Sequence, residues 1–494
     1  MKLYLVNYNF EYETINMCKI FFPGERVDIA LPQEQKCDDF IISRIKHHKT
    51  KSSALVYINK QGVISKAVCH FENNSEDFEK QSKLAMGRAF FKAASILCGF
   101  EPPWGILTGI RPIKLLRQKY EKGYTKEQTF KIFQNDYLVS KSKIELCMET
   151  SVIEEKIINL SQPKSFSLYI SIPFCPSRCA YCSFVSHDIE KAAKLVPQYI
   201  DLLCEEIKET ANIANILGLR LETIYMGGGT PSSLNSAQLT QIFDTIKKSF
   251  SFNTLREYTV ECGRPDTITS EKLEAVLNGG ANRISINPQT MDDNVLRVIG
   301  RNHSANDIIN AFELATKAKV PSINMDLIAG LPTDTLAGFK STINSVLELH
   351  PQAITIHTLA IKRSSNLVST GVAKYNAQGV EVSDMLESAS NSLHNSGYNP
   401  YYLYRQKNMA GNLENVGWSI KGHECLYNVY IMDETHTILS AGAGGVTKIR
   451  QPGGTNIERI FNFKYPYEYI SRFNQILDKK KQVIDIYEQF DKQK

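Results

Sequence analysis

Between Phe166 and Leu359 the hydrophobic and polar positions follow two alternating periods. Short runs rich in β-branched and aromatic residues (SLYISI, LETIYM, EYTVEC, NRISIN, SINMDLIAG and AITIHTL) predict six strands. After each strand, apolar residues recur every three or four positions. Tyr199–Leu217 carries Ile200, Leu203, Cys204, Ile207 and Ala211 at helical spacing, and the next helix carries Leu239, Ile242, Phe243 and Ile246. TSEKLEAVLNGG opens on an N-cap and stops at Gly279; DIINAFELATKA follows, then TDTLAGFKSTINSVLEL, expected to open at Thr333. Strands alternating with helices imply parallel pairing with right-handed crossovers. The fold class expected is α/β, with a six-unit partial (β/α)6 TIM-like barrel as the preferred closure and an open doubly wound sheet as the second. In both, chemistry belongs at the C-terminal ends of the strands.

The flanking regions read differently. KLYLVNYNF, CKIFFP, ALVYIN and GVISKAVCHF predict short strands up to about residue 75, and residues 80 to 160 turn helical. The expected division is an N-terminal α+β domain over 1–160, the core over 161–375 and a mixed, mainly helical extension over 376–494. That extension has a helix near Glu381 to Asn395, a strand-like HTILSAGAGGV, and closing helices with Tyr469, Ile470, Phe473, Ile476 and Leu477 on one face. The N-terminal domain is expected to cap the mouth and contribute cations to a substrate.

Composition narrows the classes. Hydrophobic residues make up 43% and charged residues 22%, an ordinary globular balance that excludes a disordered or fibrous chain. A net charge of +5 over 494 residues is weak, so no nucleic-acid partner is expected, although an anionic substrate is tolerated. The longest window free of Asp, Glu, Lys and Arg, Thr223–Phe243, is filled with Gly, Ser, Thr, Asn and Gln, so no membrane span is expected. MKLYLVNYNFEYET turns acidic and polar too soon for a secretory signal, and a cytoplasmic location is expected. Of the 11 cysteines, all but Cys175, Cys179 and Cys182 are scattered, as reduced core cysteines are.

Those three form C-x3-C-x2-C in SIPFCPSRCAYCSF. Three thiolates on one loop suit three irons of a [4Fe–4S] cube and leave the fourth without a protein ligand. The alternatives are a zinc knuckle, for which His187 is the obvious nearby fourth ligand, or three core cysteines. Polar residues collect at the same predicted strand ends: Gly227, Gly228 and Gly229 after the second, Glu261 after the third, Asn287 and Gln289 after the fourth, Asp326 in the fifth and His357 in the sixth. Taken singly, each is as readily a tight turn or a surface ion pair. Together with Arg301 they resemble a pocket for a molecule with ammonium, carboxylate and ribose groups.

Tyr169, six residues before Cys175 in LYISIPFCPSRCAYC, and the segments MGGGTP, VECGRPDT, RISINPQT, IGRNH and MDLIAGLP occur in order. On these motifs the chain resembles the radical S-adenosylmethionine (radical SAM) enzymes, and within them the oxygen-independent coproporphyrinogen III oxidase group. WGILTGIRPIKLL and YYLYRQKNMAGNLENVGWS resemble its HemZ-type branch. The resemblance implies that Cys175, Cys179 and Cys182 ligate a [4Fe–4S] cluster. It implies that Tyr169, Gly228, Gly229, Thr230, Glu261, Gln289, Arg301 and Asp326 hold S-adenosyl-L-methionine. It also implies a tetrapyrrole substrate, an electron donor such as flavodoxin or ferredoxin, and a 5′-deoxyadenosyl radical that starts oxidative decarboxylation of two propionates, giving protoporphyrinogen IX.

A substrate with four carboxylates calls for cations, and Arg111, Lys114, Arg363, Arg405 and Lys407 are candidates. Tyr401, Tyr402 and Tyr404 are candidates for stacking on a tetrapyrrole, and His303 and His357 for proton transfer, although core and structural roles fit each as well. Phe184 stands where the best-studied members of the group carry a further cysteine, a place that haem-handling relatives also fill with Phe. A haem or tetrapyrrole chaperone and a radical methyltransferase acting on haem are therefore the competing readings. The chaperones carry a late His-Asn-x-x-Tyr-Trp motif, whereas the nearest segment here, GNLENVGWS, lacks the His.

Overall fold

The computed structural model describes residues 1–31, 38–73, 77–182, 184, 186–360, 379–406 and 409–492. The chain forms two compact units. The first comprises Met1–Ser151, Gly371–Met385 and Leu403–Glu414. Its sheet contains β1 (Lys2–Val6), β2 (Asp28–Ala30), β3 (Phe40–Lys46), β4 (Lys51–Lys60) and β5 (Val63–Glu72) in the order β2-β1-β3-β4-β5. The first three are parallel; β3, β4 and β5 form an antiparallel meander. Helices α1 (Glu11–Phe21) and α2 (Phe78–Cys98) pack on the sheet through a core that includes Leu3, Phe21, Ile41, Val56 and Phe90. CKIFFP, expected as a strand, lies largely in α1: Thr14, Met17, Cys18 and Phe21 recur at helical spacing and are buried, so packing overrides local strand preference.

Helices α3 (Pro112–Glu121), α4 (Lys126–Lys131) and α5 (Lys141–Ile158) follow. A buried polar knot secures the loops of this unit. Trp104 Nε1 donates to Glu414 Oε2 at 2.7 Å, and Lys143 pairs with Glu414 Oε1. Arg405 lies over the Trp104 ring at 5.0 Å and donates to the carbonyls of Leu107 (2.6 Å) and Asn412 (2.7 Å). Arg405 is 2% exposed, so it is a structural cation here and not a substrate ligand; burial lowers its pKa to about 10.

The second unit (Val152–Thr370, Leu386–Tyr402 and Asn415–Lys494) is built on one sheet. It contains β6 (Ser165–Ile172), β9 (Arg220–Gly228), β10 (Glu257–Glu261), β11 (Arg283–Ser285), β12 (Ile323–Ala329) and β13 (Ala353–Thr358); the two-residue strands β7 (Phe174–Cys175) and β8 (His187–Asp188) pair separately. Helices α6 (Val196–Ile216), α7 (Ser236–Ser249), α8 (Ser270–Asn278), α9 (Asp293–Val298), α10 (Ala305–Lys317) and α11 (Leu336–Glu348) supply the crossovers. The N-cap of α11 is Thr335, whose Oγ1 accepts from Gly338 N at 3.0 Å; Thr333, expected to open it, instead adopts φ +68° in the preceding turn.

The six principal strands lie side by side in chain order, all parallel. A doubly wound sheet needs a reversal of strand order, and none occurs, so that alternative is excluded. Monotonic order with right-handed crossovers places the helices on one face. The residues agree. Leu168, Ile170, Ile224, Met226, Tyr258, Val260, Met325, Leu327, Ile354 and Ile356 are buried at alternate positions, whereas Ser167, Tyr169, Thr223, Tyr225, Thr259, Glu261, Asn324, Asp326, Thr355 and His357 occupy the other face. A parallel sheet covered on both faces would instead read as continuous apolar runs. Among the described residues the two ends of the sheet do not pair with each other.

The C-terminal region extends this sheet at both ends. Helix α12 (Val380–Asn395) and β14 (Asn399–Tyr404) lead to β15 (Asn415–Ser419), which pairs antiparallel with β13. After α13 (Leu426–Asp433), β16 (Thr437–Ala441) pairs parallel with β6, and β17 (Val446–Arg450) and β18 (Ile457–Phe461) continue antiparallel. Helices α14 (Pro466–Ser471) and α15 (Phe473–Lys492) close the chain. The turn after β16 is pinned to the end of β6: Tyr199 Oη donates to Ser171 O at 2.8 Å and accepts from Ala443 N at 2.9 Å. Gly442 sits there at φ +98°, and an added Cβ would lie 2.3 Å from Ser171 O. Glu206, fully buried, joins Gly442 N, Tyr469 Oη, Asn462 Nδ2 and Lys480 Nζ at 2.6–3.0 Å.

The Lys143–Glu414 pair generates a stability prediction. Lys143→Met takes the ion-pair partner from a buried carboxylate that still accepts from Trp104, and should cost about 3–5 kcal/mol. Adding Glu414→Gln removes that charge while keeping an acceptor for Trp104, and should recover more than half of the loss. Urea unfolding followed by Trp104 fluorescence in a Trp418→Phe background measures both; equal stability of the single and double variants would contradict the assignment.

Candidate functional site

The cysteine loop leaves the C-terminal end of β6. Its base is the β7–β8 ribbon, which pairs Cys175 with Asp188. Backbone bonds fasten the base to the glycine turn after β9: Gly229 N donates to Ile172 O and Thr230 N to Phe174 O, both at 2.7 Å. Only glycine fits this junction. A Cβ on Gly229 would lie 2.5 Å from Phe174 O and 3.0 Å from Cys175 Sγ, and Gly228 adopts φ +109°. The tip is fastened by Ala180 N to Ile299 O at 2.9 Å. Two buried arginines brace it. Arg264 Nη1 donates to Ser177 Oγ at 3.0 Å and lies 4.0 Å from Cys179 Sγ; Arg301 Nη2 donates to Tyr181 Oη at 2.9 Å.

Five of the six principal strands are buried along most of their length and open at few positions. Apart from Arg220 at the start of β9, the half-buried side chains are Tyr169 in β6, Tyr225 in β9, Glu261 in β10, Asp326 in β12 and His357 in β13. These five openings coincide with polar residues on one face of the sheet, from the middle of the strands toward their C-terminal ends. Gln289 follows β11 at φ +72°, a left-handed conformation that costs a non-glycine residue strain. Its backbone bridges to β12 (Gln289 N to Asp326 O, 2.9 Å), and its buried Oε1 has no hydrogen-bond partner.

The two carboxylates are electrostatically distinct. Burial, assisted by the charge of Asp326, raises the Glu261 carboxyl to about 7 against the hydrogen bonds of Tyr225 and the Gly228 backbone. Tyr225 Oη donates to Glu261 Oε1 at 2.6 Å. Burial also pushes Asp326 up, but His357, 3.7 Å away, and Asn324, donating at 2.7 Å, outweigh it and hold the carboxyl below its ordinary value. One acid is thus poised near neutrality beside one that stays ionised.

Tyr169, Tyr225 and Tyr427 form a stack that the sequence patterns did not reveal. Tyr225 and Tyr427 lie 4.5 Å apart at 23°, and Tyr169 stacks at 6.2 Å from each. Tyr427 arrives from α13, whose first N–H groups are capped by the buried Glu257 carboxylate (Leu426 N 2.8 Å, Tyr427 N 3.1 Å). Tyr225 had a signal, immediately ahead of MGGG; Tyr427 had none, because its neighbours are remote in sequence.

Several other candidates are placed differently from one another. Tyr401 and Tyr402 are core residues, 0% and 3% exposed, which removes them as surfaces for a tetrapyrrole. His303 is buried, its Nδ1 3.6 Å from Asp266. His187 presents its ring edge-on to Tyr465 and Tyr467. Arg111 precedes α3 and Lys114 lies within it, in the first unit. Arg363 and Lys407 lie outside the described residues.

Among the described residues no three His, Cys, Asp or Glu side chains converge as ligands of one metal ion. A cubane makes a different demand, because its thiolates bind different irons at separate corners. The donor chemistry fits it. Burial raises the Cys175 and Cys182 thiols, and the charges of their fellow cysteines add to it. Thr230 Oγ1 donates to Cys175 Sγ at 3.4 Å, a contact of the kind that tunes cluster sulfurs. For S-adenosylmethionine, the partnerless Gln289 Oε1, the glycine cradle and the two unlike carboxylates are suitable donors and acceptors.

Residues 169–346 match the family model of the radical SAM superfamily. The chain is 36% identical over 490 residues, 97% of its own length and 96% of the relative's, to the oxygen-independent coproporphyrinogen-III oxidase-like protein HemZ of Bacillus subtilis (strain 168). It is 32% identical over 256 residues, 47% of this chain and 66% of the relative, to the heme chaperone HemW of the same organism. Among solved structures, the coproporphyrinogen III oxidase HemN of Escherichia coli, a radical SAM enzyme, superposes with TM-score 0.51 at 22% identity, covering 66% of this chain and 73% of that one. The fold is thus a mixed α/β core resembling the radical SAM partial barrel, and the chain belongs to the radical SAM superfamily and, within it, to the family of HemZ-type oxygen-independent coproporphyrinogen-III oxidase-like proteins.

Proposed function

We propose that this protein carries out the oxygen-independent oxidative decarboxylation of two propionates of coproporphyrinogen III to vinyls, giving protoporphyrinogen IX. The observation that carries the reading is the row of half-open polar side chains on one face of five of the six parallel strands, beside a loop of three cysteines. The substrate class rests on the names of the HemZ and HemN relatives.

Cys175, Cys179 and Cys182 would hold a [4Fe–4S] cluster and leave one iron for the amine and carboxylate of S-adenosylmethionine. When bound, these two groups supply radical chemistry able to take hydrogen from an unactivated carbon. The chain itself provides position. Gly228 and Gly229 admit close backbone approach, Thr230 fixes the base of the cysteine loop, and Glu261 and Asp326 offer acceptors for ammonium and ribose hydroxyl groups. Gln289 Oε1 offers a buried acceptor, and Tyr169 is held by its stack. Arg301 acts by bracing, since its N–H groups serve Tyr181 and the carbonyls of Gly263 (3.0 Å) and Asn287 (3.2 Å).

Three outcomes are expected. Protein purified without oxygen should be brown, and Cys179→Ala should lose the iron and the visible absorbance; a colourless wild-type protein holding zinc would contradict the cluster. Incubation with dithionite, S-adenosylmethionine and coproporphyrinogen III should yield two 5′-deoxyadenosines per protoporphyrinogen. Stoichiometric haem binding without turnover would favour the chaperone reading, which the HemW similarity supports, and a methylated linear tetrapyrrole would favour a methyltransferase. Finally, Glu261 ionises as pH rises through about 7, so affinity for cationic S-adenosylmethionine should strengthen from pH 6 to pH 8. Calorimetry on Glu261→Gln should show weaker binding without that pH dependence.

A further inference from the structure

Arg264 stands where no assigned role requires a cation. It follows β10 in the segment GRPD, and its side chain is 3% exposed. Asp266, about a third exposed, grips it in a two-pronged contact: Nε to Oδ1 and Nη2 to Oδ2, both 3.0 Å. That grip fixes the guanidinium plane and leaves Nη1 directed at the cysteine loop, where it donates to Ser177 Oγ at 3.0 Å and approaches Cys179 Sγ at 4.0 Å. The turn is itself locked, because Thr267 Oγ1 donates to Arg264 O at 2.7 Å and Lys272 Nζ to Thr267 O at 3.1 Å. Other charged or titratable groups beside the pair and the loop include Arg301, which braces Tyr181, His303, 3.6 Å from Asp266, Asp307, which feels the charge of Asp266, and Arg178, which acts on Cys182.

We propose that Arg264 sets the reduction potential of the cluster held by Cys175, Cys179 and Cys182, with Asp266 as its orienting and opposing charge. The inference rests on the reading above that these cysteines carry a [4Fe–4S] cluster. Reduction is a one-electron step: a low-potential donor loses one electron and the cluster passes from the 2+ to the 1+ state, so that the cluster and its thiolates gain one negative charge. A buried cation at a ligand sulfur favours the more negative state, and hydrogen bonds to the sulfurs act in the same direction. Asp266 carries the opposite charge, but it is about a third exposed, where water screens it. The two residues therefore have opposite effects on the same quantity. A purely structural pair would fail together, because losing either member loosens the same turn.

The test is a potentiometric titration of the reconstituted full chain, followed by the electron paramagnetic resonance signal of the reduced cluster, with iron content measured first. At the wild-type midpoint, Arg264→Gln should lower the reduced-to-oxidised ratio about tenfold, a shift of about 59 mV to more negative potential for a one-electron couple. Asp266→Asn should move the midpoint to more positive potential, and Arg264→Lys should fall between wild type and Arg264→Gln. Iron content equal to wild type with an unmoved midpoint in Arg264→Gln would overturn the inference alone, as would shifts of the same sign in Arg264→Gln and Asp266→Asn. Wild-type protein that forms no cubane would overturn both this inference and the cluster reading beneath it.

Discussion

The hydrogen-bonded register of the parallel strands is the constraint on which the site depends. Parallel pairing holds Tyr169 beside Tyr225, Glu261 beside Ser285, Asp326 beside Thr355 and His357 beside Ile328. Because side chains alternate across a strand, a slip of one residue would turn each of these polar groups into the apolar layer under the helices and bring leucine and isoleucine to the mouth. The buried apolar face makes such a slip costly. The stability of the core and the placement of the chemistry are thus the same physical fact seen from opposite sides of the sheet.

Around that frame the site is reinforced from regions distant in sequence. Glu257, at the start of β10, caps α13 and so delivers Tyr427 to the tyrosine stack. β16 lies along β6 and ends in a glycine turn pinned to Ser171. The cysteine loop has little regular structure of its own, only a two-residue ribbon, and its order comes from the glycine turn below it and the two arginines beside it. A loop braced by neighbours can present several sulfurs without being buried by them, which suits a ligand that must be reached by a second molecule.

The strand-and-helix alternation was legible because periods of two and of about 3.6 differ plainly over runs of this length. Polar residues at successive strand ends were legible for the same reason: once the strands are located, their ends follow. CKIFFP misled because short apolar runs suit either element, and the buried stripe of α1 decided it. Arg405 could be read only as a cation in a tyrosine-rich stretch until the fold placed it over Trp104, against carbonyls from another part of the first unit. Tyr427 carries no local mark at all.

The sequence alone determined the parallel α/β core, the cysteine spacing and which residue types gather at the strand ends, since each is encoded by neighbours a few positions apart. Tertiary structure decided the strand order, the pairing of Glu261 with Tyr225, the unlike ionisation of Glu261 and Asp326, and the approach of Arg264 to Cys179. Those properties depend on distances and burial between segments tens to hundreds of residues apart, and local periodicity carries no information about which segments meet.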